Sequence, residues 1–240
     1  MKVGIIAALP GELKPLVRDW QRSAARDGVR KWTHIAGVHT WIAVCAGMGA
    51  DAARRAFAAA EADGPLDLAL SVGWAGALVP ELRVGDARAI SIIIDAQTGE
   101  RFHLAGGESA LALVTMARVA DAAEKVRLRD TYGAVIVDME AATVARMAQM
   151  RGIPIGCIKA VSDGLDADLP DINRFLSVRG QLRMAAFLVH IAMRPNYWGS
   201  IAQLGRNSSK AAQAMAALIL KFMEQPNLDR LNRMGPLSSE

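Results

Sequence analysis

Ala134-Val-Ile-Val-Asp-Met-Glu-Ala-Ala-Thr-Val-Ala-Arg146 is the stretch whose reading decides the fold. The β-branched run Val135–Val137 reads as a buried strand. Within three residues the chain passes into Ala141–Met150, an alanine-rich helical pattern with Val144, Met147 and Ala148 on one face. Asp138 and Glu140 mark the junction. In an open α/β sheet, ligands bind beyond the carboxyl ends of the strands. A carboxylate there, at the positive end of the next helix, is held ionised and aimed outward. Taken alone, either acid reads first as a helix cap.

Upstream, Val3–Leu9 reads as a first strand and Glu12–Trp20 as a helix. Trp32–Ala36 and Thr40–Ala46 form a strand pair turning at Gly37-Val38-His39. Gly47-Met48-Gly49 opens an alanine-rich helix, Ala50–Ala62, ended by Gly64-Pro65. Leu66–Val72 is a buried strand that opens into Gly73-Trp74-Ala75-Gly76, and Ala87–Ile94 is another. Residues 95–108 read as a surface loop carrying a solvated His103, Ser109–Val114 as a strand and Ala120–Asp130 as a polar helix or turn. Beyond the central stretch lie a strand, Ile153–Val161, the turn Ser162-Asp163-Gly164, and two long helices, Pro170–Ala192 and Ser200–Met223. Strands separated by helices imply a three-layer α/β/α sandwich, its central sheet mixed because of the pair at 32–46.

Composition limits the function. Hydrophobic content is 52% and mean hydropathy +0.19, yet much of this is alanine, and no 18-residue apolar run suggests a membrane span. Cys45 and Cys157 lie in apolar runs, so free buried thiols and a reducing, cytoplasmic setting are expected. The four histidines are scattered, and no metal or other cofactor is expected. A net charge of +4 without aromatic–basic interleaving excludes nucleic acid as the partner.

Acids recur at strand ends: Glu12, Glu140 and Asp163, with Gly47-Met48-Gly49 and Gly73-Trp74-Ala75-Gly76 at two others. On these residues the chain resembles the purine nucleoside phosphorylase and nucleosidase superfamily, and in particular the methylthioadenosine/S-adenosylhomocysteine nucleosidases. The matching segments are Met1–Ala8 with Glu12, Cys45–Gly49, Ser71–Gly76, Val137–Ala141 and Ile158–Asp163, in the family's order. Within it, Ala123-Glu124-Lys125, Arg194-Pro195 and Leu204-Gly205-Arg206 look like the hopanoid-associated phosphorylases, linked to removing adenine from adenosylhopane.

The resemblance implies cleavage of a purine N-glycosidic bond, whose transition state places positive charge on the ribose and negative charge on the base. It implies Asp163 as general acid at purine N7, protonated by desolvation, with Ser162 orienting it. Glu140 would accept the ribose hydroxyls, Met139 would pack under the ribose, and Glu12 would activate water. Backbone groups near Val119 would meet the adenine edge, and Met48 would line the pocket. Trp74 stands where serine is common and must stack on the substrate or close part of the pocket. Lys159 replaces a common arginine and is expected to point away from Asp163, while Ala117 replaces an acid used in base recognition. The loop Ala8-Leu9-Pro10-Gly11-Glu12 has no cation before Lys14, which favours water over phosphate. Phosphorolysis and non-catalytic nucleoside binding are the alternatives.

Residues 1–193 are read as the nucleoside-binding domain and 194–240 as a basic helical extension. The extension carries six Lys/Arg against three acids. Ile201, Leu204, Ala211, Met215, Leu218 and Phe222 fall near helical spacing, a pattern that packs on the domain or on a neighbouring subunit. With Tyr197 and Trp198 it could also rest on a membrane surface, peripheral to an inner membrane. The resemblance further implies a homo-oligomer.

Overall fold

The computed structural model describes residues 1–104, 111–167, 172–175, 177 and 198–224. Among them, eleven strands form one mixed sheet. In chain order they are β1 (Lys2–Ala7), β2 (Gln21–Arg22), β3 (Arg30–Ala36), β4 (His39–Cys45), β5 (Leu68–Ala77), β6 (Ala87–Ala89), β7 (Ile92–Asp95), β8 (Arg101–His103), β9 (Ala112–Thr115), β10 (Ile136–Asp138) and β11 (Ile155–Asp163). The helices are α1 (Pro10–Leu13), α2 (Ala50–Glu61), α3 (Ala122–Tyr132), α4 (Ala141–Gln149) and α5 (Trp198–Met223), with a 3-10 turn at Ile172–Phe175.

The spatial order is β2-β3-β4-β1-β5-β10-β9-β7-β8. The long strand β5 is the hub. Its first half lies parallel to β1, its last residues pair antiparallel with β10, and β11 runs parallel to it from Ile155 opposite Ala69 to Asp163 opposite Gly76. Alternation along β1 shows how the layers arise: Val3, Ile5 and Ala7 point to one face and Ile6 to the other. On the Ile6 side, α2 and α4 bury Ala56, Phe57, Val144 and Ala148 together with Cys157. On the opposite side, α5 lays Ala211, Met215, Ala216 and Ile219 against Val3, Ile5, Trp41 and Cys45. A third cluster, Leu78, Ile94, Val114 and Leu128, lies under α3. The three-layer α/β/α arrangement read from the sequence is thus the observed one. Among the described residues, no helix is long and apolar enough to cross a membrane.

Several boundaries differ from the sequence reading. The helix expected over 12–20 closes after Leu13, because Pro15 has no N–H to continue the ladder; irregular turns follow, with Leu16 and Val17 both donating to the Leu13 carbonyl. The apolar run 87–94 is two strands, since Ala87–Ala89 pairs with β11 whereas Ile92–Asp95 pairs with β9. The loop expected over 95–108 contains β8, which buries Phe102 between exposed Arg101 and His103. Both β5 and β11 run further than expected, through Gly73–Ala77 and Ser162-Asp163. The helix expected at Pro170–Ala192 lies outside the described residues apart from the 3-10 turn and Ser177, and so do Arg194, Pro195 and Tyr197.

Candidate active site

Two glycines of β5 shape the site. Gly73 has φ +149°, which L side chains rarely adopt, and a Cβ there would lie 2.9 Å from Glu12 Oε1. A Cβ on Gly76 would lie 2.9 Å from Asp163 Oδ2 and 3.1 Å from Lys125 Cε. The missing side chains let two acids from opposite ends of the sequence approach one stretch of backbone. Val137 of β10 pairs with that same Gly76, which brings Met139 and Glu140 alongside.

Glu12 is 3% exposed and accepts three backbone N–H groups: Ala8 at 2.8 Å and Leu9 at 2.7 Å on Oε2, and Trp74 at 2.9 Å on Oε1. Burial raises its pKa above the ordinary carboxylate range, against the pull of those N–H groups and of the Lys159 charge. Glu12 therefore caps its own short helix and reaches β5 with the same carboxylate.

Asp138 and Glu140 divide the roles at the next junction. Asp138 caps α4, accepting from Ala141 N at 2.9 Å, and takes the Thr115 hydroxyl at 2.6 Å. It also pairs with Lys159 Nζ at 2.8 Å. Lys159 is 1% exposed; burial opposes its charge, but Asp138 above all, then Cys157 and Glu140, outweigh that and lift it above the usual lysine range. An isolated ammonium in that place would cost several kcal/mol. Glu140 turns away from its own helix to accept Gly49 N at 2.6 Å, and Met139 N lies 3.3 Å from its other oxygen. Burial first, then the Asp138 charge, push Glu140 up to about 8, while Lys159 and the Gly49 N–H oppose the shift.

Asp163 differs from the sequence reading in its place on the strand and in its partners. It closes β11 just past a register shift rather than sitting in a turn. Ser162 Oγ donates to its Oδ1 at 2.7 Å. Its Oδ2 meets Lys125 Nζ at 2.5 Å, and Lys125 also donates to the Gly164 carbonyl at 2.6 Å. Burial alone was expected to act on this carboxyl; the side chain of buried Lys125 faces it as well. Lys125 has no role in the sequence reading, where it appears only within Ala123-Glu124-Lys125; a further signal is that it shares the inner face of polar α3 with Leu128, three residues on.

The Trp74 indole covers Gly11, where a Cβ would lie 2.9 Å from Cη2, and its Nε1 is buried with no hydrogen-bond partner among the described residues. Val119 is half-buried on the connection from β9 to α3, near the exposed Ala117. Met48 and Met139 line a cleft of about 430 Å³ with Met116 on its apolar side, and Arg54, Thr143 and Arg146 on its polar side. Arg146 is held by Asp95 and Glu100, each at 2.7 Å. Among the described residues no His, Cys, Asp and Glu group is arranged to hold a metal ion.

The arrangement offers a buried carboxylate, Glu12, on the backbone of β5, a half-buried one, Glu140, bound to the Gly49 N–H at the cleft's lining, and the Lys125–Asp163 pair beside Gly76. A family model described as the phosphorylase superfamily matches residues 2–112 and 109–192. Comparison with curated proteins gives no match. Solved structures show the same fold at low identity. Helicobacter pylori 5′-methylthioadenosine/S-adenosylhomocysteine nucleosidase, in complex with a pyrrolidinol compound, is 16% identical with a TM-score of 0.70, over 93% of this chain and 98% of that one. Futalosine hydrolase of the same organism is 15% identical with a TM-score of 0.70, over 93% and 97%. Arabidopsis thaliana 5′-methylthioadenosine nucleosidase is 18% identical with a TM-score of 0.68, over 95% and 97%.

Proposed function

The chain belongs to the phosphorylase superfamily, and from that premise we propose that it hydrolyses the N-glycosidic bond of a 5′-substituted adenosine, releasing adenine. One observation supports the reading: Glu12 and Asp163, 151 positions apart, both reach residues 73–76 of β5, and Glu140 follows directly on the strand that pairs with Gly76. Glu12 takes a proton from water as it attacks the anomeric carbon. Glu140 accepts the ribose hydroxyls as positive charge builds on the sugar, and Met139 walls the sugar's apolar face. Asp163, oriented by Ser162, serves the departing base, whose edge meets the backbone near Val119.

Water is favoured over phosphate on electrostatic grounds. The acid at the nucleophile's end repels a phosphate dianion, and the buried cation whose charge acts on it, Lys159, is already bound to Asp138 at 2.8 Å. Met48, Met116 and Met139 in the neighbouring cleft suit an apolar 5′ group. The sequence resemblance to hopanoid-associated phosphorylases supports a large lipid substituent such as that of adenosylhopane. Adenine release from 5′-methylthioadenosine and from a long-chain 5′-alkyl adenosine, each with and without inorganic phosphate, tests the reading. Release independent of phosphate is expected; release only in its presence overturns the hydrolytic assignment.

A further inference from the structure

The buried pair of Lys125 and Asp163 has no place in the roles assigned so far. Apart from Leu128, no other residue of helix α3 is buried, yet it drives one ammonium, 1% exposed, through the gap left by Gly76 onto the carboxylate. An ammonium is among the costliest groups to bury, and surface charge partners were open to it, as Arg118 and Glu124 show by pairing at the start of the same helix. Among the described residues, the groups facing Lys125 are Asp163 Oδ2, at 2.5 Å, and the Gly164 carbonyl, at 2.6 Å. Among the same residues, the hydrogens hydrogen-bonded to the Asp163 oxygens are those on Lys125 Nζ and on Ser162 Oγ, 2.7 Å from Oδ1. Of these, the ammonium gives up its proton far more readily than the hydroxyl.

We infer that Lys125 supplies, through Asp163, the proton taken up by the leaving base, which rests on the glycosidic-cleavage reading above. As the bond from C1′ to N9 breaks, its electron pair passes to the purine and N7 becomes basic. The Lys125 Nζ–H proton moves onto Oδ2 of the Asp163 carboxylate, and the carboxyl so formed gives that proton to N7 and is left ionised again. Water adds its oxygen to C1′ and loses a proton to Glu12. The cycle leaves Lys125 as a neutral amine and Glu12 protonated; proton exchange with solvent as products depart restores both. Lys125 acts through Asp163 and is a positioning residue that also carries the proton.

Two leaving groups separate this role from a structural one: 5′-methylthioadenosine, whose base needs a proton, and 4-nitrophenyl 5-methylthioribofuranoside, whose nitrophenolate does not. In Lys125→Met, adenine release is expected to fall by about 10²–10⁴-fold, the usual worth of a positioned proton donor, with a far smaller loss of nitrophenolate release. Lys125→Arg keeps a cation against Asp163 but holds its protons too tightly to pass one on, so adenine release is expected to stay near that of the Met variant. The Arg variant decides the matter alone should the Met variant not fold. Equal losses on both substrates, or recovery of adenine release in Lys125→Arg, would mean that Lys125 merely holds Asp163 in place and would overturn the inference. Failure of the wild type to cleave either substrate would instead defeat the cleavage reading itself.

Discussion

Glu12 accepts hydrogen bonds on both oxygens, so an isosteric amide is a severe change there. In Glu12→Gln the new NH2 must confront a backbone N–H, whichever way it turns. An unfolding free energy lower by about 1–3 kcal/mol is expected by urea titration. Adenine release should fall by about 10²–10⁴-fold, in line with loss of a general base. Glu140 makes a different forecast. With its pKa raised to about 8, the native state holds a proton that the unfolded chain, with an ordinary carboxylate near 4.5, has already released. This contribution to stability is complete below about 4.5 and is lost as pH rises through about 8. Urea midpoints compared between pH 5 and pH 9 should drop more in the wild type than in Glu140→Gln, and matching drops would contradict the assignment. Gly76→Ala tests the close approach: its methyl group would crowd Asp163 Oδ2 at 2.9 Å, and kcat for adenine release should decline with KM little changed.

At the scale of elements, α3 is the platform for Lys125, and its start is fixed by Asp121, which accepts Glu124 N at 2.8 Å. Asp121→Ala should cost about 1 kcal/mol, read from the thermal midpoint. Helix α5 reaches the site from the other layer, where Met215 Sδ accepts the Gly73 N–H at 3.1 Å. Met215→Ala should cost about 2–5 kcal/mol and also lower adenine release, since Gly73 borders Glu12. The sequence made some of these elements plain and hid others. Helices α2 and α4 have long apolar stripes, and the β3–β4 hairpin has a clear turn, so their periodicity was enough. The far half of β5 was hidden because its glycines look like a turn when no partner strand is in view; β11 supplies that partner. Glu12, Glu140 and Asp163 were legible as acids at strand ends, but not their partners. Which buried cation meets which carboxylate depends on strand order, and Lys125 reaches Asp163 across 38 residues of chain.

Across the whole molecule, α5 shares a core with the first strand. Ala211, Met215 and Ile219 are at most 1% exposed. The side of α5 that would have dipped into lipid is thus occupied by the sheet, and among the described residues of that helix Arg206, Lys210, Lys221 and the 44% exposed Leu220 are left for membrane contact. Binding to anionic vesicles through α5 should then fall on joint reversal of Arg206, Lys210 and Lys221 to glutamate; a co-sedimentation assay unchanged by that reversal would remove the idea. The two cysteines have a use of their own. Cys45 lies in the core on the α5 side and Cys157 in the core beneath α2 and α4, each with its thiol pushed up to about 12, mainly by burial. Only a thiolate reacts with iodoacetamide, so alkylation of either sulfur reports an excursion that opens its own side of the sheet. Peptide mapping after graded exposure would reveal whether the two halves come apart in concert or one ahead of the other.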